Sequence, residues 1–259
     1  MNLVAMIPAR SGSKGLPKKN IKNLLGKPIV SYSLISALKS EKINSVYLNS
    51  DSDKYLDLGK KLGAKTYKRP VELGDENTSM KAVLSDFSKY LINKKEKFDA
   101  IVVLYPTNPL RTTKFINEFI DQFNLSGGDL PFISVGKPST HPFLCYKRNN
   151  NGNLEKLLQF DENKFYRRQD YPVYYRISGG NYIIPKKYID EINAQLFCNI
   201  SYSYIISDDI PIVDIDTITD FKYAENLLRT MANNWSILSQ RYLNVFIYKK
   251  RKNYENFTI

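Results

Sequence analysis

The first half of the chain alternates between short unbroken apolar runs and longer stretches in which apolar residues recur every three or four positions. LVAMIPA (3–9), SVYLNS (45–50), DAIVVLY (99–105) and PFISVG (131–136) are runs of strand length bounded by polar or turn-forming residues. Runs of this kind fit strands buried on both faces, as in parallel sheets. Between them, PIVSYSLISALKS opens at Pro28 and KYLDLGKKLG closes at Gly63. TSMKAVLSDFSKYLINKK carries apolar side chains at 80, 83, 84, 87, 90 and 91, spacings that line one face of a helix. TTKFINEFIDQF supplies another helix. Strand–helix alternation with short links predicts an α/β fold, a parallel sheet wrapped by helices.

The pattern breaks between about Lys137 and Arg176. This stretch is polar, contains NNNGN at 149–153 and ends in FYRRQDYPVYYR (165–176), and it reads as an inserted hairpin or arm. NYIIP and SYSYIIS resume strand patterning, and ITDFKYAENLLRTM gives a final helix with apolar residues at 218, 221, 224, 227, 228 and 231. The expected division is one large domain over 1–232, with the arm at about 137–176, and a basic, aromatic extension over 233–259. YKKRK (248–252) in that extension reads as a solvated end, dispensable for chemistry.

Composition narrows the classes. The chain has 38 Lys and Arg against 26 Asp and Glu, a formal charge of +12. Such a balance suits nucleotides, nucleic acid or acidic sugars, and a lysine-rich solvated surface produces it too. No zinc-finger spacing, RNA-binding aromatic signature or helix-turn-helix pattern is visible, which argues against nucleic acid as a partner. The single histidine, His141, argues against a His-rich metal centre and against a Ser-His-Asp hydrolase. Cys145 and Cys198 fit no metal spacing and read as free thiols. The start, MNLVAMIPAR, lacks a basic region and cleavage signature, and no apolar run is long enough to span a bilayer. A cytoplasmic location is expected.

Three motifs carry candidate chemistry. Ile7–Asn20 (IPARSGSKGLPKKN) directly follows the first strand. Ligands of open α/β sheets sit outside the carboxyl ends of strands, and a glycine-containing loop there can turn backbone N–H groups toward an anion. Arg10, Lys14 and Lys19 add the positive charge a triphosphate requires. The loop is neither G-x-x-x-x-G-K-[ST] nor G-x-G-x-x-G. LYPTNPLRT (104–112) ends the run at 99–105, with Thr107 and Asn108 offered toward the same edge; it also reads as a plain strand-to-helix turn capped by Thr112 or Thr113. In DIDTITD (214–220), strand alternation would put Asp214 and Asp216 on one face. Two carboxylates there suit Mg²⁺ bridging phosphate oxygens, though Asp216 and Asp220 also fit as helix-start acids.

With RPVELGDENTS, RRQDYP and YRISGGNYI, these motifs in this order resemble those of the acylneuraminate cytidylyltransferase family over about residues 3–229. The resemblance implies a Rossmann-like, mostly parallel sheet flanked by helices, a homodimer exchanging an inserted dimerisation arm, and Mg²⁺-dependent transfer of CMP from CTP to an acidic sugar. By position, Arg10, Ser13, Lys14, Lys19 and Asn20 would hold the triphosphate and nucleotide. Arg69, Ser79 and Thr107 would line the CTP site. Asp214 and Asp216 would bind the metal, with Arg10, Lys14, Lys19 and Asp216 catalytic. Tyr105, Arg167, Arg168 and Arg176 would meet the sugar.

The resemblance also shows departures. The family usually has Gln at Tyr105, Ser at Asn108, Asn-Gly-Ala at Ser178–Gly180 and Lys at Leu144. The sugar-side changes imply an acceptor other than N-acetylneuraminate. Legionaminic, pseudaminic and Kdo-like acids are the alternatives, together with an inactive nucleotide-binding relative.

Overall fold

A computed structural model describes residues 1–231; the extension over 233–259 lies outside the described residues. In chain order the strands are β1 (Leu3–Pro8), β2 (Asn23–Leu24), β3 (Lys27–Pro28), β4 (Ser45–Ser50), β5 (Lys65–Lys68), β6 (Ala100–Leu104), β7 (Phe132–Gly136), β8 (Tyr146–Arg148), β9 (Leu154–Lys156), β10 (Arg176–Pro185) and β11 (Tyr202–Ile205). The helices are α1 (Ile29–Leu38), α2 (Asp53–Lys61), α3 (Met80–Asn93), α4 (Thr113–Leu125) and α5 over 218–231. Seven strands form one sheet in the order β11-β7-β10-β6-β1-β4-β5. β10 runs antiparallel to both its neighbours, and the other pairings are parallel.

Alternation along the strands builds a core on each face of the sheet. Leu3, Ala5 and Ile7 of β1 pack with Val30 and Leu34 of α1 and with Phe115, Phe119 and Phe123 of α4. Val4 and Met6 face the opposite way, onto Val83, Leu84, Phe87 and Leu91 of α3. Burying each of these Val, Leu, Ile, Met and Phe side chains contributes about 1.5–3 kcal/mol. Ser79 and Thr112 accept from Ala82 N and Phe115 N and so cap α3 and α4. Gly63, at φ +90°, ends the stretch of α2 as the sequence predicts.

A third, smaller cluster joins the stretch between β1 and α1 to the segment leading into α5. Leu16, Leu24 and Ile29 meet Leu110, Val213, Ile215 and Phe221. Because β4 lies on one side of β1 and β6 on the other, the strand order reverses at β1, and this is where a ligand crevice opens in such sheets.

One strand had no signal and one expectation needs correction. β5 was not legible in the sequence, because KTYK is short and three of its four residues are polar. The segment holding Asp214 and Asp216 is not a strand, since residues 211–216 join no ladder. Alternation persists without one: Val213 and Ile215 are buried while Asp214 and Asp216 are exposed. The segment is held by Ile215 N donating to Thr107 O at 2.9 Å and by the third cluster. The expected arm contains the two-stranded hairpin of β8 and β9. No described helix is long and apolar enough to cross a membrane.

Candidate active site

A cleft of about 830 Å³ opens at the carboxyl ends of β1 and β6. Arg10, Ser13, Lys14, Lys19, Asn20, Arg69, Ser79, Tyr105, Thr107 and Asp216, drawn from segments far apart in sequence, all line it. Asp214, Arg167, Arg168 and Arg176 do not line it within this chain.

The loop after β1 is fixed at several points. Ser11 donates through its backbone N to Asp51 Oδ1 at 2.8 Å. Asn20 Nδ2 donates to Arg10 O at 3.0 Å, leaving the buried Asn20 Oδ1 without a partner among the described residues. Gly15 lies so close to the acidic segment that a Cβ there would stand 2.7 Å from Asp216 O. Lys14 pairs with Glu76 at 2.5 Å, and Lys19 pairs with Asp216 at 2.7 Å. Both lysines named from the sequence as triphosphate contacts are therefore held by carboxylates that also line the cleft. Glu76 was not singled out from sequence, where it reads as one more acid in a loop.

Arg69 is buried, with Nε on Asn49 Oδ1 at 2.7 Å and Nη2 on Asn49 O at 2.9 Å. Burial pulls its pKa down to about 10, with Asp51 opposing and Arg10 adding to the fall. Ser79 spends its hydroxyl on the cap of α3. Both residues shape the wall as much as they offer groups to a ligand.

The other end of the cleft is more apolar. Tyr105 and Tyr182 pack with ring centroids 5.5 Å apart, beside Ile177 and Ala194. Burial, then the nearby Asp214, pushes the Tyr182 phenol up to about 12. Tyr105 is raised further, by burial first. Of the residues that depart from the family pattern, Tyr105 reaches the cleft. Ser178 is buried, Gly180 sits beneath Tyr105, and Leu144 lies in the arm.

Asp214 and Asp216 are both exposed, and Asp214 acts electrostatically on Tyr105, Tyr182 and Arg111. No group of three His, Cys, Asp or Glu side chains suited to a metal occurs among the described residues. Asp214 and Asp216 would be the residues to hold a Mg²⁺, since carboxylate oxygens are the hard donors such an ion takes.

This is the sheet and crevice of a nucleotide-transferring α/β enzyme. The cytidylyltransferase family model matches residues 4–253, and the chain belongs to that family. It is 28% identical over 229 residues to a CMP-N,N'-diacetyllegionaminic acid synthase of Legionella pneumophila, covering 88% of this chain and 97% of that one. It is 30% identical over 224 residues to an N-acylneuraminate cytidylyltransferase of Streptococcus agalactiae, covering 85% of this chain and 52% of that one. The solved structure of CMP:2-keto-3-deoxy-manno-octonic acid synthetase superimposes with a TM-score of 0.64 at 15% identity, over 89% of this chain and all of that one, and so shares the fold.

Proposed function

We propose that this enzyme transfers CMP from CTP to the anomeric hydroxyl of a sialic-acid-like nonulosonic acid and releases pyrophosphate. The observation that carries the reading is the convergence of Arg10, Lys14, Lys19, Asn20, Thr107 and Asp216 on one cleft at the switch point of the sheet. The acceptor hydroxyl attacks the α-phosphorus, the bond to the β-phosphate oxygen breaks, and pyrophosphate leaves. Such a transfer depends on positioning and charge neutralisation more than on covalent help. Arg10, Lys14 and Lys19 hold the triphosphate and stabilise the departing pyrophosphate. Asp214 and Asp216 would hold Mg²⁺, which when bound supplies positive charge to the phosphate oxygens. For Lys14 and Lys19 to meet phosphate, their pairs with Glu76 and Asp216 must give way. The exposed Lys14–Glu76 pair costs about 0–1 kcal/mol to break, whereas Lys19 is largely buried beside Asp216 and its pair is held more firmly.

The acceptor is an acid, and the cleft's four cationic side chains are Arg10, Lys14, Lys19 and Arg69. Arg167, Arg168 and Arg176 sit on or beside the arm, which also exposes Leu144, Tyr146, Leu154, Leu157 and Val173. That surface supports a homodimer in which one protomer's arm brings an arginine to its partner's acceptor site. Arginine suits this task because its planar fork can bind both carboxylate oxygens. The Tyr105–Tyr182 wall favours an acceptor less hydroxylated than N-acetylneuraminate, such as legionaminic or pseudaminic acid.

The test is product formation from CTP and Mg²⁺ with N-acetylneuraminic, legionaminic, pseudaminic and Kdo acids, read by mass. A CMP-sugar with at least one, and a higher kcat/KM for an acid other than N-acetylneuraminate, is expected. No product with any acid defeats the reading; a wide preference for N-acetylneuraminate defeats the acceptor argument.

A further inference from the structure

Arg111 is 4% exposed and lies in the turn after β6. Its Nε donates to Asn181 Oδ1 and its Nη1 to Ser33 Oγ at 3.0 Å. Its Nη2 faces Tyr105 O at 3.0 Å, Gly179 O at 2.9 Å and Gly180 O at 3.3 Å. Every one of these acceptors is neutral. A buried guanidinium normally takes a carboxylate partner, because desolvating an unpaired charge is costly. Here the acid that acts on it is Asp214, beyond hydrogen-bond contact.

The consequence falls on the acceptor end of the cleft. The β10–β7 ladder shifts register between Ile177 and Tyr182. Within that irregularity Gly179 and Gly180 take φ of +74° and +58°, and both turn their carbonyls to Arg111. Gly180 O also accepts from Tyr105 N at 2.9 Å. The approach is so close that a Cβ on Gly180 would stand 2.7 Å from Tyr105 Cβ. Tyr105, Ile177 and Tyr182 line the cleft from the elements that Arg111 ties together. The triphosphate loop makes none of these bonds.

We infer that Arg111 is a positioning residue for the acceptor: its fork holds the β10 irregularity against Tyr105 and so sets the acceptor wall, without touching the nucleotide half. The inference rests on the cytidylyltransferase reading proposed above. A purely structural role would weaken both substrates together, whereas a positioning role separates them.

The experiment compares wild type with Arg111→Lys, Arg111→Met and Gly180→Ala. It measures CTP affinity by calorimetry and kcat and KM for whichever nonulosonic acid the wild type uses best. Arg111→Met should lower kcat/KM for the acceptor by about tenfold to a hundredfold, the scale of sub-ångström to one-ångström misplacement. The Kd for CTP should stay within about threefold. Arg111→Lys keeps the charge without the fork and should fall between. Gly180→Ala pushes on Tyr105 from the other side and should reproduce the split with Arg111 intact. Should the Arg111 variants fail to fold, Gly180→Ala decides alone. Equal losses for CTP and acceptor, or an unchanged acceptor constant in a folded variant, overturn the assignment. A wild type that releases no pyrophosphate with any acid refutes the cytidylyltransferase reading instead, so the two failures are distinguishable.

Discussion

Replacing Gly15 with alanine strikes the joint between the triphosphate loop and the acidic segment. The new Cβ would lie 2.7 Å from Asp216 O and 3.7 Å from its carbonyl carbon, both backbone atoms that cannot rotate away. The shorter contact is tighter than ordinary packing by roughly 0.7 Å, so either the loop or the segment must move by about that much. Overpacking of this kind costs about 1–3 kcal/mol, a fall in Tm of roughly 2–12 °C for a domain of this size. The catalytic effect is larger in proportion, since Lys19 and Asp216 sit on the two parts forced apart. A displacement approaching 1 Å should lower kcat for CTP-dependent pyrophosphate release by about tenfold to a hundredfold. Gly12→Ala is the internal control, because a Cβ there meets nothing within 4 Å and no left-handed φ requires glycine. It should match wild type in Tm and turnover. A fully active Gly15→Ala, or a Gly12→Ala equally impaired, would refute the reasoning.

The same geometry sets further expectations. Asp216→Asn should lower turnover by about ten- to a thousandfold, the range for losing one preorganised charge, while Tm stays close to wild type because the carboxylate is exposed; full activity in the Asp214→Asn/Asp216→Asn double variant contradicts the metal role. Burial raises the phenol pKa of Tyr47, Tyr67, Tyr105 and Tyr182 in the folded chain. Their stabilising contribution is complete below the unfolded value of about 10 and is lost as pH rises toward 12 and beyond. Arg69 and Arg111, lowered by burial to about 10 and about 9, act in the opposite sense between those values and their ordinary one, but four phenols oppose two guanidiniums. Chemical denaturation from pH 8 to 11 should show stability falling above 10, less steeply in Tyr182→Phe, and a flat profile contradicts this.

The sheet was legible because its central strands are buried on both faces and so are written as unbroken apolar runs. β5 escaped because an edge strand with one partner needs no such run. The nucleotide side of the cleft was legible because a triphosphate demands cations and glycine next to β1, and that demand fixes residue types within one short loop. The acceptor side was less so. Arg111 belongs to a quoted motif, yet nothing in PTNPLR reveals that its side chain turns inward to carbonyls some seventy residues away. Gly180 reads as a sugar-loop change, whereas in the fold its missing side chain lets Tyr105 sit where it does. The acidic segment shows that alternation can outlive the strand: Val213 and Ile215 are buried by side-chain packing, with Thr107 O as a backbone anchor from the turn after β6.

The central claim is that the cleft takes CTP, transfers CMP to an acidic sugar and releases pyrophosphate. Initial rates of pyrophosphate release with CTP, UTP, ATP and GTP, each with Mg²⁺ and the preferred nonulosonic acid, test it most directly. A rate with CTP far above the other three and dependent on the acid is expected. Equal rates with UTP, or release without an acceptor, would contradict it.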